Sequence, residues 1–263
     1  MFAYLWRNQN IFFNRMNQLL FIIDPQMDFT CPSGSLYVPK AEKAMRYLAD
    51  FIAEHRTELD DICISLDSHH LYHIGHASYW QDAKGNTPAP FSQFTNTSQW
   101  KPSQAPLEQV NEYLLTLKKQ GRTHTIWPNH CIIDSEGWQI DATLLNALTH
   151  WNSFRKENNL LPYKTYRKGS FADAEMFSVL STFDGKIIDL STLPIRLEDY
   201  DQILIAGVAE DVCVAETVHD LIRIPLLKNK IRFIKKGMAC LQPDARSMQI
   251  FKTAIDIFGA SYL

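Results

Sequence analysis

Apolar residues recur along this chain with two different periods. Short, almost unbroken apolar runs at Gln18 to Asp24 (QLLFIID), Asp61 to Ser65, Asp201 to Ala206 and Lys230 to Lys235 read as strands buried on both faces. Between them apolar positions return every three or four residues near Lys40 to His55, Leu107 to Gln120, Asp141 to Glu157, Cys213 to Leu227 and Pro243 to Phe258. That spacing predicts helices that bury one stripe. Strand and helix alternate, so the pattern predicts an α/β fold, a mostly parallel sheet flanked by helices on both faces in a Rossmann-like three-layer arrangement. In such a sheet, ligands bind beyond the carboxyl ends of the strands.

Three side chains stand where that edge is expected. Asp24 ends the first apolar run; it delivers a carboxylate to the edge or, standing before Pro25, merely opens a turn. The stretch Ile203 to Ile222 runs an apolar strand through a small-residue turn into a helix, with Cys213 in the first turn of that helix. Free N–H groups and the helix dipole favour a thiolate there, although a free cysteine is also a common filler of buried space. Lys168 precedes Gly169 and Ser170 ahead of a short helical pattern, and taken alone reads as a solvated loop lysine. Asp28, four residues after Asp24, reads as a cap or turn residue.

Together these segments resemble the isochorismatase-like cysteine hydrolases, the superfamily that contains the nicotinamidases. DPQMDF is similar to the family's D-x-Q-x-D-F, GVAEDVCV to its G-x-A-T-D-x-C-V, and a Lys-Gly pair lies between them in the same order. The resemblance runs from about Gln18 to about Gly237 and is weakest between Trp80 and Ile126. It implies a catalytic triad of Asp24, Lys168 and Cys213, an oxyanion hole from the N–H groups of Ala209 and Cys213, and a cis peptide between Val208 and Ala209. It also implies aromatic walls at Phe29 and Trp127, a Zn²⁺, Mn²⁺ or Fe²⁺ ion held by Asp67, His69 and His130, and assembly as a dimer or tetramer.

The metal set has chemistry of its own behind it. Asp67 and His69 follow the apolar run DICIS, His130 lies in WPNHC, and two imidazoles with one carboxylate suit a divalent ion while leaving positions open. The loop DSHHLYHIGH also holds His70, His73 and His76, and only some of these can face one ion. His76 is expected to support the loop by hydrogen bonding. Ser68 and His70 stand where the family has Trp and Pro, and Glu210 where it has Thr. The added carboxylate of Glu210 either raises the thiol pKa by like-charge repulsion or points to solvent.

The implied reaction is hydrolysis of nicotinamide or a similar small carboxamide to the acid and ammonia through a thioester, a step of NAD salvage. The alternatives are a metal-independent N-carbamoyl amidohydrolase, another isochorismatase-like hydrolase such as a vinyl ether hydrolase, or a non-catalytic interaction domain. Across 263 residues the motifs belong to one pattern, so a single domain is expected over 18–263, after an N-terminal extension over 1–17 with Met16 as a candidate start. A turn-rich insertion is expected over 81–125. A net charge of −3 without a basic run argues against nucleic acid or an anionic membrane as partner. Five cysteines without a C-x-x-C pair, and the lack of a signal-peptide pattern or a spanning apolar run, point to a reducing, cytoplasmic setting.

Overall fold

The computed structural model describes residues 15–263; residues 1–14 of the expected extension lie outside the described residues. Six strands form the central sheet: β1 (Gln18–Ile23), β2 (Asp61–Asp67), β3 (Lys164–Lys168), β4 (Gln202–Val208), β5 (Ile231–Ala239) and β6 (Ser261–Tyr262). Their order is β6-β5-β4-β1-β2-β3, and every neighbouring pair is parallel. The chain builds outward from β1 to one side through β2 and β3, then returns to the other side with β4. The sheet therefore has its topological switch point between β1 and β4, where the connections part and leave a crevice.

Among the described residues there are five helices of seven residues or more, α1 (Ala41–Glu54), α2 (Leu107–Lys119), α3 (Ala142–Glu157), α4 (Ala215–Leu221) and α5 (Ala245–Asp256), and all but α2 pack on the central sheet. Period-two alternation in β1 decides which layer meets which face. Leu19, Phe21 and Ile23 pack with Val218 and Leu221 of α4 and Ile250 and Phe251 of α5. Leu20 and Ile22 pack with Met45, Leu48 and Ile52 of α1 and Leu144, Leu148 and Trp151 of α3. Asp141 caps α3 by accepting the N–H groups of Thr143 and Leu144, and Asp244 caps α5 through Ser247.

Three expectations need correction. The segment Lys164–Lys168 is a strand, although KTYRK has no apolar run; as the sheet edge it needs to bury little on its outer side. Lys168 is consequently the last residue of a strand and fully buried, not a loop lysine. The helix expected over Cys213 to Leu227 is shorter: Glu210–Val214 winds as a wide π turn, α4 ends at Leu221, and Pro225 starts a separate 3₁₀ turn because it cannot donate to a continuing helix.

Residues 81–125 carry α2 and parts of two small antiparallel ribbons, Trp80–Gln81 with Lys101–Pro102 and Gln93–Phe94 with His124–Thr125. They form a satellite core of their own, in which Val110, Leu114 and Leu117 close over Ile74, Tyr79 and Trp80. Among the described residues no helix is long and apolar enough to cross a membrane. Ile22 is fully buried in the central strand, so Ile22→Ala is expected to lower unfolding free energy by about 2–5 kcal/mol, read by urea denaturation.

Candidate active site

Parallel strands in register present their carboxyl ends on one side, and here those ends deliver charge. Asp24 follows β1, Asp67 ends β2 and Lys168 ends β3, while Cys213 lies in the turn after β4, across the switch point. Asp67 and Lys168 are register partners, so their side chains emerge side by side. Asp24 turns into the crevice with φ +48°, a left-handed conformation that Asp adopts more readily than bulkier residues. Its own N–H donates to Ser65 Oγ at 3.1 Å, and Ser65 O–H donates back to Asp24 Oδ1 at 2.6 Å.

Lys168 joins the set together. Its Nζ lies 3.1 Å from Asp24 Oδ2 and 3.0 Å from Asp67 Oδ1, donates to the Met176 carbonyl at 2.9 Å, and stands 3.6 Å from Cys213 Sγ. Burial alone pushes the Lys168 pKa down, yet the two carboxylates more than reverse this and hold it well above the ordinary lysine value. Asp24 is raised, chiefly by burial and further by Asp67, against the pull of Lys168 and Ser65. Burial pushes Cys213 well up, Lys168 pulls it down, and Asp24 and Asp67 push it up. The cysteine thus rests as a thiol beside a carboxylate whose proton affinity is raised.

The turn carrying Cys213 follows a cis peptide between Val208 and Ala209. The Ala209 carbonyl accepts the N–H groups of Val212 and Val214, and Thr217 O–H donates to the Cys213 carbonyl at 2.7 Å, so the turn is fixed from both ends. Glu210 forms an ion pair with Lys235.

Asp67, His69 and His130 meet in a buried cluster. Asp67 Oδ2 lies 2.9 Å from His69 Nε2 and 3.4 Å from His130 Nε2. Donors about 2.1 Å from a zinc ion and about 90–110° apart lie about 3.0–3.4 Å from each other, so the spacing fits one divalent ion. The far nitrogens agree: His69 Nδ1 faces the Gly169 carbonyl at 3.0 Å and His130 Nδ1 the Pro128 carbonyl at 2.8 Å. A carbonyl only accepts, so each Nδ1 donates, and each Nε2 is left to face the carboxylate either with a second proton or as a ligand to a shared cation. The three donors form one of two groups among the described residues whose ligand atoms lie close enough together to hold a metal ion. Burial pushes His69 down, but the Asp67 charge and hydrogen bond win and raise it to about 9. Gly169, with φ +76°, closes this cluster; a Cβ there would come 2.8 Å from Asp67 Oδ1 and 2.9 Å from His69 Cε1.

The rest of the His-rich loop divides cleanly. His70 is exposed, whereas His73 and His76 are fully buried, their rings 4.1 and 5.3 Å from that of His69. Neither nitrogen of His76 has a protein hydrogen-bond partner, so it does not support the loop in the way expected; it is a spare donor 5.4 Å from the His130 ring. Ser68 accepts the indole N–H of Trp138 at 2.9 Å and donates to the Leu66 carbonyl, filling its place with a local hydrogen-bonded pair.

Phe29 and Trp127 line a pocket together with Cys213, Ala209, Asp67 and His130. Phe177, Val212, Leu241 and Glu175 also line it and were not singled out from the sequence. Glu175, close to His69 and His73, had no distinguishing signal: it sits in ADAEMF beside Asp173, and nothing local separates the two acids.

No family model matches the sequence. A nicotinamidase of Saccharomyces cerevisiae is 24% identical over 199 residues, which span 75% of this chain and 78% of that protein. The solved structure of the yeast nicotinamidase superposes with a TM-score of 0.65 at 20% identity, covering 94% of this chain and 99% of that one. A nicotinamidase/pyrazinamidase of Acinetobacter baumannii gives 0.64 at 17%, covering 95% and 97%. A pyrazinamidase of Pyrococcus horikoshii, solved in complex with zinc, gives 0.55 at 17%, covering 94% and 98%. The fold is therefore the α/β fold of the nicotinamidases.

Replacing Lys168 with Met removes the counter-charge of two buried carboxylates. It is expected to cost about 3–5 kcal/mol of stability, read by chemical denaturation alongside the wild type. Glu210→Thr, which removes the ion pair with Lys235 and no group of the catalytic set, is expected to leave kcat and KM within about threefold of the wild type in a steady-state assay.

Proposed function

We propose that this chain is a metal-dependent cysteine amidohydrolase of the nicotinamidase-related, isochorismatase-like group, converting nicotinamide or a similar small carboxamide to the acid and ammonia. The observation that carries the proposal is the contact of one buried ammonium, Lys168, with both Asp24 and Asp67 and with the sulfur of Cys213. Likeness to nicotinamidases over most of the chain supports it.

Asp24 takes the proton of the Cys213 thiol as the sulfur attacks the amide carbonyl carbon. The raised pKa of Asp24 makes that transfer less uphill, and Lys168 stabilises the negative charge that moves from carboxylate to sulfur. The tetrahedral oxyanion is received by the N–H groups of Ala209 and Cys213; one such donor is typically worth about 10²- to 10³-fold in rate. Asp24 then returns its proton to the amide nitrogen, the C–N bond breaks, and ammonia leaves a thioester on Cys213. Water, deprotonated by Asp24, attacks the thioester carbonyl; the C–S bond breaks, the sulfur regains its proton and the acid departs. Phe29 and Trp127 wall the acyl ring, and the apolar lining excludes bulk water. Asp67, His69 and His130 would hold a divalent ion, zinc or else manganese or iron, which would supply a Lewis-acid anchor for the substrate. The protein acts on a small molecule, and a dimer or tetramer belongs to the proposal.

Purified protein is expected to release ammonia from nicotinamide, and Cys213→Ala to release none above the uncatalysed rate while keeping its metal. Dialysis against a chelator is expected to abolish turnover, and zinc to restore it. Full turnover in protein shown by elemental analysis to be metal-free would contradict the metal dependence, and absence of both metal and nicotinamide turnover would favour the N-carbamoyl amidohydrolase branch.

A further inference from the structure

Asp28 is the second carboxylate of DPQMDF, and its geometry exceeds that of a turn residue. It sits on a single helical turn, Met27–Thr30, four residues beyond Asp24, and is buried. Its Oδ1 accepts the Ser35 N–H at 3.0 Å, within its own loop. Its Oδ2 accepts the N–H of Cys131 at 2.7 Å, more than one hundred residues away in the chain. Its backbone N–H donates to the Gly137 carbonyl at 2.9 Å. The loop from Cys131 to Gly137 is thus folded around this carboxylate, so closely that a Cβ on Gly137 would run into it.

We propose that Asp28 is a positioning residue for the metal ligand His130. Cys131, the next residue, is fully buried with φ +48°, a left-handed conformation that an ordinary side chain holds only when its surroundings impose it. Asp28 imposes it by taking the Cys131 N–H, the group that the turn leaves without a strand or helix partner. The Cys131 carbonyl meanwhile accepts the N–H of His69 at 3.0 Å, and Ile133 N–H donates to the His69 carbonyl. The two histidines of the metal set are therefore tied to each other through the residue that Asp28 clamps. His130 Nδ1 donates to Pro128 O inside the same turn, so the direction of Nε2 follows the turn's backbone. Removing the carboxylate orphans a buried N–H, relaxes the turn and swings Nε2 away from Asp67. A single segment thus serves both halves of the site, Asp24 facing the nucleophile and Asp28 the metal loop. The inference rests on the metal reading given above.

The test measures zinc dissociation constants by competition with a chromophoric chelator, with far-UV circular dichroism of the metal-free proteins as the control for folding. Asp28→Ala, Asp28→Asn and Gly137→Ala are compared with the wild type and with His130→Ala. The expected result is zinc binding about 10- to 100-fold weaker in Asp28→Ala and Gly137→Ala, with wild-type circular dichroism. Should Asp28→Ala fail to fold, Asp28→Asn, which keeps the volume and leaves one of two N–H donors unmet, and Gly137→Ala decide. Zinc affinity within threefold of the wild type in the folded variants, beside a weakened His130→Ala, overturns the positioning role alone. A wild type that binds no zinc, or a His130→Ala that binds as tightly as the wild type, overturns the metal reading and the positioning role with it.

Discussion

One buried ammonium holds this site together. Lys168 stands between Asp24 and Asp67, and none of the three could remain charged at that depth alone, since an isolated buried ion costs several kcal/mol to desolvate. Each makes the others tolerable, and the arrangement leaves one negative charge in excess among the three. That excess faces the imidazoles of His69 and His130 at Asp67, where a divalent ion of the kind proposed would complete the balance and leave room for one further negative charge on sulfur or oxygen. The proposed nucleophile and the proposed metal set are therefore two sides of one electrostatic unit.

The sheet explains why these groups meet. Parallel pairing aligns the carboxyl ends of β1, β2 and β3, so residues distant in sequence emerge as neighbours. The reversal of strand order opens the crevice between β1 and β4, and the Cys213 turn enters from its far side. Apolar alternation in β1 buries both faces of the strand against separate helical layers. The sheet's carboxyl edge is thereby a rigid platform, as a site positioned to a few tenths of an ångström requires.

Much of this was legible because the chemistry sits at strand ends, where the apolar pattern breaks. Asp24, Asp67 and Cys213 each follow a recognisable apolar run, Phe29 lies in the motif that Asp24 opens, and Trp127 and His130 lie in the separate motif WPNHC. Lys168 was readable only by resemblance: β3 is an edge strand with polar alternation, and its burial comes from the Met176 carbonyl and the two aspartates, all supplied by tertiary structure. Glu175, Phe177 and Leu241 reach the pocket from segments without local periodicity, so nothing in the sequence marks them. His76 was misassigned because a histidine's partners depend on how a loop closes, and this loop closes by backbone bridges from His69 to Ile132 and from His76 to Trp127. Helix α4 was drawn too long because the apolar period continues past Leu221, where Pro225 breaks the hydrogen-bond ladder.

The central claim is that Cys213 carries the acyl group between amide and acid. Mixing enzyme with nicotinamide, quenching in acid within the first turnovers and mapping the peptides by mass spectrometry tests it directly. The account predicts a pyridine-carbonyl adduct on the peptide containing Cys213, lost on longer incubation as the acid accumulates. Steady formation of acid with no adduct on any cysteine, or with the adduct confined to Cys31, Cys63, Cys131 or Cys240, would contradict it.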